Sequence, residues 1–202
     1  TTKIKNSKFT KNNYCFFSGW NSKKSRKKFL LFNLSLQPER NDTMRLHRNL
    51  TFAVIDSIRD IFNEGVYADK AVEKALKRDK RWGARDRKFV AETIYEIVRW
   101  NRLYAEIAEV KVPYDRDNIW RIFSVWCVLR GIALPDWNQI GEVPERKIKG
   151  RFAELSRTRK FRESVPDWMD ALCVEELGEE IWTKEIAALN IQASVILRTN
   201  TL

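Results

Sequence analysis

A chain of 202 residues with 44% hydrophobic and 32% charged content has the balance of a globular protein, long enough for one sizeable domain. Seven Gly and five Pro are too few for a turn-rich sandwich and favour helices. No run reaches the ~18 consecutive apolar residues of a membrane span, so no membrane partner is expected.

The net charge of +11 invites a nucleic-acid partner, but its distribution says more than its sum. Residues 1–43 hold 10 Lys/Arg against 2 Asp/Glu, a net of +8, and the remaining chain only +3. Within that remainder residues 70–102 carry +6 and residues 163–202 carry −6, which polarises the body. Cys15, Cys127 and Cys173 form an odd set at unrelated spacings, so neither a disulfide framework nor a Cys-x-x-Cys metal pattern is present. A reducing, cytoplasmic setting is the expectation.

Residues 1–43 are rich in Lys, Asn and Ser and lack a helical period. The apolar run "FLLFNLSL" at 29–36 follows "KKSRKK", but Asn33 and Ser35 interrupt it and no small-residue cleavage site follows, against a signal peptide. The first Met is Met44, and amphipathic order starts directly after it. This segment is therefore read as a disordered or non-native extension, with a basic RNA-binding arm as the alternative.

Helical order then predicts a core over 44–134. Leu50, Val54, Ile58 and Ile61 recur every three or four residues, with Gly65 as the stop. "YADKAVEKALKRDKRWG" predicts a short helix with Ala71, Ala75 and Leu76 inward, closed by Gly83. "ARDRKFVAETIYEIVRWNRLYAEIAEV" predicts one helix of over 20 residues, ended by Pro113. Its stripe is Val90, Ile94, Ile97, Tyr104 and Ala108, with Phe89 and Val98 beside it. "DNIWRIFSVWCVLRG" is apolar almost all round, which predicts a central helix capped by Asp117.

Residues 135–165 are looser and basic, with a short helix around Arg151–Arg159. Residues 166–193 predict a helical linker in two pieces. Pro166 starts it, Gly178 divides it, and Trp168, Leu172, Ile181, Ile186 and Leu189 pack. "SVILRTNTL" at 194–202 favours a strand with alternating Arg198 and Asn200, whose partners would lie beyond Leu202.

The residues argue against chemistry within this stretch. His47 is the only histidine, which argues against a Ser-His-Asp triad or a His-based metal cage. Neither a P-loop nor a dinucleotide fingerprint occurs. Cys127 and Cys173 sit in helices as core thiols rather than nucleophiles, and "EELGEE" is read as a solvated face. Trp100, Trp120, Trp126, Trp168 and Trp182 are read as core or helix-helix contacts.

The informative stretch is "KALKRDKRWGARDRKF". Lys77, Arg78, Lys80, Arg81, Arg85, Arg87 and Lys88 crowd a helix end, a loop and the next helix start, with Trp82 among them. Such cations neutralise phosphates and release counterions, and an exposed aromatic stacks on an unpaired base. A solvated corner with Trp82 in the core explains the composition equally well. Asp79 and Asp86 dilute the potential, and Asp86 has a capping or local pairing role open to it.

At "WGARDRKFVAETIYEIVRWNRLYAEIA" the chain resembles the long helix of NusB-like all-α domains. There an Asp-Arg pair, here Asp86 and Arg87, opens a helix that ends near an Arg, here Arg99. That family has a Ser a few residues earlier, where this chain has Ala84. A second segment, from "VPDWMDALCVEELGEEIW" to "LRTNTL", is similar to the linker of RsmB/Sun-family ribosomal-RNA cytosine carbon-5 methyltransferases. The matching residues are Pro166 and Trp168, Leu177 and Gly178, Ala188 to Asn190, and Leu197 to Thr201, and the resemblance spans roughly 45–202.

The resemblance implies an all-α, NusB-like helical bundle followed by a helical linker and the first strand of an RNA-recognition-like subdomain. The catalytic part would follow, with its S-adenosylmethionine loop and two cysteines. Cys15, Cys127 and Cys173 do not lie in matching sequence and inherit neither role. The implied partners are ribosomal RNA and the protein's own catalytic domain. RNA contacts are expected from the seven cations, with Arg99 and Arg102 as weaker candidates. The alternatives are a free-standing NusB-type antitermination factor and a purely structural docking domain.

Overall fold

The structure is a computed structural model and describes residues 45–191. The extension 1–43 and the terminal strand 194–202 lie outside the described residues. Nine α-helices and no strand occur among the described residues, in accord with the all-α expectation. In chain order they are α1 (Arg48–Phe62), α2 (Ala68–Arg78), α3 (Ala84–Arg99), α4 (Asn101–Ala108), α5 (Arg116–Arg130), α6 (Glu145–Leu155), α7 (Arg159–Arg162), α8 (Asp167–Leu177) and α9 (Glu179–Leu189).

The bundle is organised around α5. Its residues Ile119, Trp120, Ile122 to Cys127 and Val128 are buried, as an all-round apolar helix requires. Asp115, not Asp117, caps it: its carboxylate accepts from the Asn118 backbone N–H at 2.6 Å. Asp117 falls in the first turn, where its charge still faces the helix dipole favourably. Helices α1, α3, α4 and α6 pack on α5, and α2 closes the far side against α1 and α3. Leu50, Val54, Ile58 and Ile61 of α1 meet Val90, Ile94 and Ile97 of α3 in one core.

Three boundaries differ from the sequence reading. Helix α2 stops at Arg78, because Asp79 turns extended at φ −135°, ψ 112°. Gly83 instead stands at the start of α3. The long helix breaks at Trp100, whose φ −101°, ψ 13° lies in the bridge region between the helical and extended basins. Arg99 before the break faces Glu163, Ser164 and Asn190, while Leu103 and Tyr104 after it are buried in the bundle core. The stretch 135–165 is more ordered than composition suggests: α6 starts at Glu145, and its Ile148 and Phe152 join the main core.

The C-terminal helices form a hairpin with its own small core of Val165, Trp182 and Ile186. Here the packing expectation fails in part. Ile186 is buried, but Trp168, Leu172, Ile181 and Leu189 are exposed, Trp168 at 61% and Leu189 at 71%. No residue of α8 is buried. Trp100, Trp120, Trp126 and Trp182 are core residues, so Trp168 is the exception among the five. Cys127 is fully buried, which pushes its thiol pKa up, and Cys173 is half-buried against the small core.

Polar contacts fasten the hairpin to the bundle. The Arg99 guanidinium donates to the Glu163 carbonyl at 3.1 Å, the Ser164 carbonyl at 3.2 Å, and the Asn190 side-chain oxygen. It also stacks on Trp100, 4.9 Å from the ring centroid. Arg102 donates to the Val165 carbonyl and, at 2.6 Å, to Asp167. Asp170 of α8 accepts from Arg159 of α7 at 2.8 Å and, within the hairpin, from the Trp182 indole at 2.8 Å. Arg99 and Arg102 are thus occupied by folding contacts.

Candidate nucleic-acid interface

The corner between α2 and α3 gathers all seven cations named from sequence, and the structure sorts them by partner. Lys77 pairs with Glu73 one turn back at 2.7 Å, and Lys88 with Glu92 at 3.4 Å. Arg78 reaches across to Asp56 of α1 at 2.8 Å. Arg81 folds back on Asp79, donating from its backbone N–H at 2.9 Å and from its guanidinium at 2.8 and 3.0 Å. Arg87 is half-buried and donates Nε to the Trp82 carbonyl at 3.1 Å. Lys80 and Arg85 are exposed and form no ion pair within the described residues.

Exposed pairs of this kind contribute little to stability, with a typical magnitude of about 0–1 kcal/mol. A phosphate can therefore replace the internal carboxylate at small cost. Lys80 and Arg85 stand outside any ion pair among the described residues, Lys77, Arg78 and Lys88 are held by single exposed pairs, and Arg81 is held more firmly by its bidentate contact with Asp79. Arg87 is fixed by its bond to the loop carbonyl and acts first as a brace.

The two acidic residues have distinct tasks. The Arg81 hydrogen bonds hold the Asp79 carboxyl well below its ordinary range, down to about 2. Asp79 is thus a permanent anion that shapes the loop through Arg81. Asp86 sits at the third position of α3, where its carboxylate accepts from the Gly83 backbone N–H at 3.3 Å. That is the reaching-back half of a capping box, and it supplies the helix start with Ala84 where the resembled family has a Ser.

Trp82 stands between the exposed and the core position that the sequence left open. It is half-buried and packs against the main core, yet it lines an open cleft of about 460 Å³. The other walls are Arg78 and Asp79 beside it and Arg48, Asn49 and Phe52 of α1. The Arg48 guanidinium lies 5.9 Å from the ring centroids of both Phe52 and Trp137, and that of Arg116 lies 5.8 Å from Phe52. Sequence reasoning missed Arg48, Phe52, Arg116 and Trp137 because they come from three separate segments. The available signal was weak: an Arg and an aromatic four residues apart at the start of α1.

No cluster of three or more metal-ligating side chains occurs among the described residues. No helix among them is long and apolar enough to cross a membrane. Comparison with known proteins gives no match to a family model, a curated protein or a solved structure.

Proposed function

We propose that this chain is an RNA-holding, NusB-like amino-terminal domain of an RsmB/Sun-type ribosomal-RNA cytosine carbon-5 methyltransferase. The observation that carries the RNA role is the α2–α3 corner. It sets seven cations around a helix end and a helix start, four of them in surface ion pairs and two without an ion pair among the described residues. Supporting the domain reading, the two segments that resemble the family touch through Arg99 and Asn190. Methyl transfer and S-adenosylmethionine binding belong to the domain that follows in that family. The role of this chain is to bind phosphates and position RNA.

The test is a salt titration of single-stranded RNA binding. At ~0.7 per phosphate neutralised, four to six contacts give a log-log slope of about 3 to 4. R81A combined with R85A is expected to weaken binding for all sequences and to lower the slope by about 1. R81A also frees the Asp79 anion, which adds repulsion. A flat salt response, or unchanged affinity in the double variant, overturns the RNA role.

A docking role on the protein's own catalytic domain is favoured by a separate observation. Helix α8 buries none of its residues and exposes Trp168 and Leu172. Exposed apolar residues grouped on a helical hairpin fit a neighbouring domain.

A further inference from the structure

The cleft beside Trp82 adds something that the basic stretch alone does not supply. We propose that it takes one unpaired base of single-stranded RNA, stacked on Trp82, with the neighbouring phosphates held by Arg48, Lys80 and Arg85. The proposal rests on the RNA-holding reading and names the part of RNA recognised at that site.

Four observations converge on it. First, the half-buried Trp82 ring packs against the core, and the Arg87 Nε bond at 3.1 Å to its carbonyl braces the loop that carries it. A ring already packed loses little entropy when a base stacks on it. Second, Arg48 of α1 and Arg78 of α2 both line the cleft, Arg78 in an exposed pair with Asp56. A cationic ligand is disfavoured beside them, and a flat π system with an attached anion is favoured. Third, the exposed Asn49 amide, a donor and an acceptor, lines the same cleft and is of a kind that pairs with the polar edge of a base. Fourth, Lys80 and Arg85 flank Trp82 in the chain and form no ion pair within the described residues, so they are open to the phosphates on either side. A base inside a duplex cannot reach such a cleft, whereas a single strand presents its faces freely.

The experiment uses the 202-residue chain and a single-stranded RNA decamer carrying one photoactivatable 4-thiouridine. Irradiation followed by trypsin digestion is expected to place the cross-link on the peptides 82–85 or 49–59, which carry Trp82 and Phe52. In parallel, W82A is expected to weaken single-strand binding roughly tenfold, as loss of one stacked base does. Its affinity for a matched duplex and its salt slope should be unchanged, and W82F should retain most of the affinity. Cross-links confined to other peptides, with binding intact, overturn the base site and leave the RNA role standing. Equal losses on single strand and duplex in W82A also overturn it, since Trp82 then serves the fold alone. Absence of any salt-dependent binding by the unaltered chain overturns both.

Discussion

Replacing Arg99 by Ala should loosen the C-terminal hairpin while leaving the bundle folded. Arg99 donates to two carbonyls, of Glu163 and Ser164, and to the Asn190 side chain. Glu163 is only 2% exposed, and its carboxylate also accepts from Asn190 at 2.6 Å and Arg162 at 2.9 Å. Without Arg99 these acceptors stay buried with fewer donors, at a cost of about 2–4 kcal/mol for a charge-assisted, partly buried node. The apolar side of the hairpin cannot absorb that loss, since its buried core is Val165, Trp182 and Ile186. At about 1.4 kcal/mol per factor of ten, local opening should become about 30- to 700-fold more frequent. Hydrogen exchange read by mass spectrometry should show this for peptides spanning 179–190. Peptides of α1 and α5 should exchange as before. A change below threefold in 179–190, or an equal rise in α1 and α5, would refute the claim that Arg99 is the latch.

Other substitutions probe the remaining links. Phe123 of α5 is fully buried, so F123A should destabilise the whole bundle by about 3–5 kcal/mol, read as a cooperative loss in urea denaturation. D86A removes the contact to the Gly83 N–H and should cost about 0.5–1 kcal/mol in the same assay, with faster exchange limited to the start of α3. The Arg159 hydrogen bond lowers the Asp170 carboxyl pKa, with the Trp182 indole adding to it. Because the folded value lies below the unfolded one, its contribution is complete above about pH 4 and is lost as the pH falls toward the folded value. Hairpin protection should therefore decline below about pH 4, and D170N should be weaker at neutral pH and flatter across that window.

The seven cations and Trp82 lie within twelve consecutive residues, and in the structure they do meet at one corner. Their partners were less legible. Glu73 and Glu92 stand four residues from Lys77 and Lys88, a spacing that helical periodicity makes visible. The reach of Arg78 to Asp56 needs α1 and α2 to be antiparallel neighbours, which no local pattern states. The same holds for Arg48, Asn49 and Phe52, which complete the cleft from α1. At the hairpin the apolar pattern misled: Trp168, Leu172 and Leu189 sit at helical spacing, yet helical spacing shows only that a face exists and not that something covers it.

The sequence by itself determined that residues 45–191 are helical, that α5 is their buried axis, and that the positive charge of that stretch concentrates around Trp82. These follow from short-range periodicity and composition, since burying a stripe of Ile, Val, Leu and aromatic residues needs only a 3.6-residue repeat. Only the tertiary structure decided which cations remain available, that Arg99 and Arg102 serve the fold, and that a cleft opens beside Trp82. Those outcomes depend on contacts between residues up to 91 positions apart, such as Arg99 with Asn190 and Arg48 with Gln139. Side chains that distant become neighbours only when packing sets the order and angle of the helices between them.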